Sequence, residues 1–142
     1  MDAADKIARG VALFNARKFF QAHEAWEELW LAEKGSERAF LQGLIQCAAA
    51  FHHYSRGNLR GTKSLLARGL ANLARFPRHY CSLDVASLRN GAGPWLRWLD
   101  GKQEAAAPPL PAISTLSRRG CSKDSTKSAA RKRTGKPCTT RS

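Results

Sequence analysis

Histidine, glutamate and glutamine recur at helical spacing in two stretches of this chain, and these are the side chains able to do chemistry. In the first stretch, His23 is followed by Glu24 and, one helical turn on, by Glu27, with Trp30 close behind. A histidine with a carboxylate one turn away is the minimal arrangement for an oriented general base, or for two ligands of a divalent cation. In the second stretch, Gln42, Gln46 and His53 recur at intervals of four and seven, which places them in one band of a helix. At 100° per residue, His23 falls inside the apolar stripe Phe19, Ala22, Trp26, Leu29 and Trp30. Glu27 lies at the edge of that stripe, while Glu24 and Glu28 turn outward. If the glutamine band faces the stripe, His23, Glu27, Trp30, Gln42, Gln46 and His53 converge between two helices, with Asn58 at the turn just beyond.

Neither stretch completes a known catalytic set. The metalloprotease helix needs a second histidine four residues after the first, where this chain has Glu27, and its general base would be Glu24, which faces outward. Carboxylate-bridged di-iron bundles need Glu-x-x-His on two helices, and that motif does not occur. His23, Glu27 and His53 could still ligate one metal ion with Gln46 behind them, or serve a His-based hydrolase. The same residues also suit a structural network in which Glu27 holds the His23 tautomer and Gln46 satisfies both. Both readings stand, no metal is assigned, and no cofactor follows from the sequence. Cys47 and Cys81 lack a nucleophile signature, and Ser55 and Ser64 lack an elbow motif. Trp95 and Trp98 read as core.

The elements that must position these residues are all helical. The spacing predicts a helix from Ala3 to Phe14, a turn over Asn15 to Lys18, and a second helix to about Glu33. Gly35 and Ser36 stop that helix and start a third, from about Glu37 to Arg56, closed by Gly57 and Asn58. A fourth reaches about Arg75 before Pro77, burying Leu59, Thr62, Leu66, Leu70 and Leu73 and turning Arg60, Arg68 and Arg75 outward. Asp84 should cap a short helix ending at Asn90-Gly91, and Pro94 should open another over Trp95 to Leu99. No segment shows strand periodicity. Arg17 to Ala22 aligns with Gly57 to Thr62 at an offset of 40, each spanning a turn with a small residue a few positions into the next helix. Tetratricopeptide-like hairpins are built in this way. The expected fold is all-α: two packed antiparallel helical hairpins plus short C-terminal helices.

Charge divides the 142 residues unevenly. Residues 105–142 hold nine Lys or Arg and one acid, so +8 of the net +13 lies there and residues 1–104 carry +5. That segment has no aromatic residue and is rich in Ala, Pro, Ser and Thr, the composition of a disordered basic tail on a helical domain of residues 1–104. Arg131, Lys132, Arg133 and Lys136 would bind nucleic acid without sequence preference, through counterion release. The four cysteines form no C-x-x-C pair and no secretory leader precedes them, which points to a reducing cytoplasm. Ala39 to Ser55 is uncharged for 17 residues, but its two Gln and two His favour a buried helix over a membrane span.

Phe14-Asn15, Phe19-Phe20-Gln21-Ala22-His23-Glu24, Glu27, Trp30, Arg38 through Gln46, His53, Gly57-Asn58 and Gly61 closely resemble a bacterial family known as domain of unknown function 309. The resemblance spans about residues 7 to 100 and implies a small all-helical protein; it brings no assigned activity. Ala16-Arg17 stands where that family often has glycine, and Thr62 where it usually has alanine. Residues and resemblance together point to a small helical binding or interaction module for a protein partner or small ligand, leaning away from an enzyme. Nucleic-acid binding through the tail is a third reading.

Overall fold

The computed structural model describes residues 3–115. Five helices follow one another: α1 Ala3–Asn15, α2 Phe19–Ala32, α3 Glu37–Ser55, α4 Leu59–Leu73 and α5 Val85–Asp100. Each helix packs on the next in sequence, α5 on α4 across a short excursion of the chain. The all-α fold and its two hairpins are therefore as the sequence predicts.

The offset of 40 is visible bond by bond at the two hairpin turns. Arg17 N–H donates to Phe14 O (3.0 Å) as Gly57 N–H does to Tyr54 O (2.9 Å), and Lys18 donates to Leu13 O (2.8 Å) as Asn58 does to His53 O (2.9 Å). Arg17 and Gly57 share the left-handed backbone, with φ of 68° and 82°. Glycine adopts that conformation freely, whereas arginine is strained by about 1 kcal/mol. Ala22 and Thr62, the small residues that follow, are fully buried.

The helices meet over an aromatic core. Phe14 packs edge-on to Phe19 and Phe51 (5.1 and 6.2 Å), and Phe51 packs edge-on to Trp95 (5.2 Å). Two glycines set the closest approaches. The Trp26 ring lies directly on Gly10, and its Nε1–H donates to Ile7 O at 3.2 Å. Gly69 lets α4 reach the Cys47 backbone, where a Cβ would stand 2.9 Å from Sγ.

Three features depart from expectation. A two-residue antiparallel hairpin, β1 His79–Tyr80 and β2 Leu83–Asp84, sits between α4 and α5. Its turn residues Cys81 and Ser82 both have positive φ (51° and 62°), a conformation usually announced by Asn-Gly, so nothing in the sequence flags it. The break at Asn90-Gly91 does not occur, and α5 runs through Pro94 as one helix capped by Asp84, whose Oδ1 accepts from Ser87 N–H at 3.0 Å. Val85, Leu88, Ala92, Trp95 and Leu99 are buried on one face, and their packing outweighs the hydrogen bond that the proline removes.

The third departure concerns residues 105–115, assigned by composition to the tail. They run back along the helices as an extended strap. Trp98 Nε1–H donates to Ala105 O (2.9 Å), Trp95 Nε1–H to Pro109 O (3.0 Å), and Arg17 Nη1 to Pro111 O (3.1 Å). The Asn15 amide then takes both backbone groups of Ile113, at 2.9 and 2.8 Å, and Ile113 is buried. Prolines have no N–H to satisfy, so side-chain donors to the carbonyls hold most of the strap. Composition counts apolar area and does not register such bonds. Arg131, Lys132, Arg133 and Lys136 lie outside the described residues.

Candidate functional site

His23, Glu27 and Trp30 share one stripe of α2, each partly buried. Phe20, one turn before His23, and Leu31, beside Trp30, are the exposed large hydrophobics of the described residues, at 49% and 68%. Phe20 stacks on the His23 ring at 5.7 Å and 15°. At the other end of the stripe, the Arg38 guanidinium of α3 lies 3.9 Å over the Trp30 ring, a cation–π contact. Between them Glu27 is one turn from both His23 and Trp30. Among the described residues its carboxylate forms no hydrogen bond or ion pair.

Two nitrogens of this stripe are buried without a partner: His23 Nδ1 and Trp30 Nε1. A buried polar atom left unpaired costs about 1–3 kcal/mol, and folded proteins tolerate few of them. The expected His23–Glu27 hydrogen bond is therefore absent from this arrangement.

The glutamine band faces elsewhere than the sequence reading supposed. α3 is gripped on two sides, by α2 and by α4, and a helical wheel cannot assign which face meets which neighbour. Gln46 faces α4, where Asn72 Nδ2–H donates to its Oε1 at 2.8 Å. Gln42 is exposed and lines a groove with Ser36, Arg38, Arg75 and Phe76. His53 belongs to the second hairpin turn: its Nδ1 accepts from the Asn58 amide at 3.2 Å, while Asn58 Oδ1 caps α4 by accepting from Gly61 N–H at 3.0 Å. A Cβ on Gly61 would lie 2.6 Å from that amide, so the glycine keeps the space open. His53 and Asn58 hold a turn, and Gln46 joins two helices.

His52 is the residue that sequence reasoning missed. Its ring is 5.1 Å from Phe20, on the α2 side of α3. Partial burial, then the Arg56 charge and the neighbouring His53 and His23, hold its pKa below the ordinary 6.5. Its histidine-rich surroundings, His52-His53 in sequence, were the available signal. Burial pushes the Cys47 thiol up to about 12, so it stays protonated and a poor nucleophile near neutral pH. Among the described residues no three of His, Cys, Asp or Glu converge as a set of metal ligands, and no helix is long and apolar enough to cross a membrane.

The site residues of both helices fall within one segment of recognisable ancestry. Residues 7–65 match the family model for the domain of unknown function 309. An uncharacterized protein of Aquifex aeolicus (strain VF5) is 28% identical over 107 residues, which is 75% of this chain and 31% of that protein. The chain thus spans about a third of the length of that relative. The two hairpin turns, the α2 stripe from His23 to Trp30 and the Gln42-to-Asn58 run all lie inside the segment that matches the domain of unknown function 309.

Proposed function

We propose that this chain is a small helical interaction module that receives an amphipathic helix of a partner protein along the α2–α3 face. The observation that carries the reading is the α2 stripe itself. It exposes Phe20 and Leu31, and between them leaves two buried nitrogens unpaired. Phe20 and Leu31 are eleven residues apart, about 16 Å along the axis, which matches three turns of a docked helix. Arg38 borders the stripe from α3, so an acidic residue beside the partner's apolar seam would complement it.

Glu27 couples this docking to the core. A helix laid over the stripe strips water from the Glu27 carboxylate, and a desolvated carboxylate needs donors. The Trp30 Nε1–H is an unused donor one turn away. Docking therefore drives Glu27 inward onto Trp30 and removes the cost that the unpaired Trp30 Nε1 imposes on the unbound protein. A hydrolase built on His23 and Glu27 draws less support, because His23 Nδ1 is sealed off without a carboxylate to orient it.

Photo-crosslinking tests the reading. A benzophenone amino acid is placed at Phe20, at Leu31, and at exposed Ala12 of α1 as control. Adducts of one common mass are expected from the two α2 sites and not from Ala12, suppressed by excess unmodified protein but not by a Phe20→Ser/Leu31→Ser competitor. Adducts of dimer mass would make the occupant a second copy, and equal labelling at Ala12 would remove the site.

A further inference from the structure

A second surface, on α4, carries a charge pattern that the α2–α3 face does not use. Between positions 38 and 83 the chain has seven Lys or Arg and no Asp or Glu at all. The acids of the described residues lie in α1, in α2 and the turn after it, at the start of α3, and around α5. The second hairpin is thus cationic, whereas α1 and α5 carry both signs and α2 carries only acids. Charges mixed along a helix are the rule for a merely solvated face, and this face is not mixed.

Geometry turns that imbalance into a track. Arg60, Arg68 and Arg75 are all exposed and eight and seven residues apart, so they line one side of α4 and the turn that follows. That spacing is about 12 Å and about 10 Å along the axis, a run of about 22 Å. On the same side of the helix the exposed residues between them are small: Ser64, Ala67 and Ala71. A bulky chain can lie against the helix there without steric obstruction. None of Arg56, Arg60 or Arg68 has an ion pair among the described residues, and Arg75 donates only a 3.5 Å bond to Asn72 Oδ1. Lys63, on the flank, is by contrast already paired with Asp100. The track ends in the groove shared by Arg75, Arg38, Ser36, Gln42 and Phe76. Arg38 is held there by its stacking on Trp30, so its guanidinium loses little freedom on meeting an anion.

We propose that the α4 track binds the phosphodiester backbone of nucleic acid, without base readout. A linear row of unpaired guanidiniums over small side chains fits a polymer with regularly repeated phosphates. The 22 Å run covers about six base pairs at 3.4 Å each. Arginine suits this role because its planar fork meets phosphate oxygens bidentately. The groove at the end receives one phosphate between Arg38 and Arg75, with the Gln42 amide as a further donor. The basic residues of the tail add affinity by the same counterion release, but the α4 track sets where the polymer lies.

Fluorescence anisotropy on the full chain tests this, with a labelled 20-base-pair DNA duplex and a labelled 20-nucleotide single-stranded RNA between 50 and 200 mM salt. The variant Arg60→Gln/Arg68→Gln/Arg75→Gln is compared with Arg131→Gln/Lys132→Gln/Arg133→Gln, which removes the same charge from the tail. The side chains of Arg60, Arg68 and Arg75 are exposed, and an unchanged thermal melt verifies that each variant is folded. The α4 variant should lose at least tenfold in affinity at 100 mM salt on either probe, the tail variant less than threefold. The slope of log K against log salt on the duplex should flatten by about 2.7 in the α4 variant, which is 0.9 for each of three phosphates. Equal losses in the two variants, a loss confined to the tail variant, or no binding by the unmodified chain would overturn the proposal. Competition by poly-glutamate as effective as unlabelled nucleic acid at equal charge would also overturn it and assign the face to an acidic protein.

Discussion

Replacing Gly10 by alanine sets two well-characterised effects against each other. In an exposed helix the change would stabilise by about 1 kcal/mol, since glycine is the poorer helix former. Here the added Cβ would stand 2.1 Å from Trp26 Nε1, 2.4 Å from Cε2 and 2.6 Å from Cδ1. Those are ring atoms of a fully buried indole and cannot swing aside as a flexible side-chain tip would. Overpacking of a filled core costs about 1–3 kcal/mol, and displacing the ring also breaks the bond from Nε1–H to Ile7 O, worth about 1 kcal/mol. The balance is a net loss of about 1–3 kcal/mol after the propensity gain. Urea unfolding followed by far-ultraviolet circular dichroism measures it as a lower midpoint with unchanged slope. A double-mutant cycle with Trp26→Phe isolates the cause, because phenylalanine lacks the pyrrole edge that the Cβ meets. The double variant should be less destabilised than the two single variants predict by addition. A Gly10→Ala protein as stable as the parent, or a strictly additive cycle, would refute the close-contact reasoning.

Three further outcomes follow from the hydrogen bonds and charges described above. Asn58→Ala removes the α4 cap and the donor to His53 Nδ1, and should lower stability by about 1–2 kcal/mol, while Asn58→Asp keeps the cap and should recover part of it; urea midpoints decide. Asn15→Ala breaks both bonds to Ile113 and should raise amide exchange across residues 105–115 well above that of α3, whereas uniform protection would mean the strap is held by apolar contact alone. His52 has its folded-state pKa below the ordinary 6.5, so the unfolded chain binds the proton more readily. The stability tied to this residue is fully present above 6.5 and is lost as pH falls below that value toward the folded one. His52→Gln should flatten the rise of stability with pH across that window, and an unaltered pH profile would show that neither Arg56 nor the burial acts on His52.

Much of this molecule was legible in its residues. Helical periodicity located α1 to α4 and their turns, because burial of one face repeats at 3.6 residues whatever the face meets. The 40-residue offset was legible too, and it returned as matching backbone bonds because Gly57 and Asn58 are turn residues by their own chemistry. Arg17, in the same left-handed conformation, was not legible as such, since arginine has no local preference for it. The α2 stripe of His23, Glu27 and Trp30 was likewise fixed by spacing alone. Only the tertiary structure decided what that stripe meets. A wheel gives a residue's angle around its own axis and carries nothing about which neighbour lies at that angle. Gln46 therefore turned out to bond Asn72 on α4, His53 to serve the turn at Asn58, and His52 to stand beside Phe20 and His23. Packing also carried α5 through Pro94, and indole and amide donors drew the proline-rich strap onto the helices. Such bonds join residues up to 98 positions apart, a distance over which local sequence pattern holds no information, because only the folded chain brings those groups together.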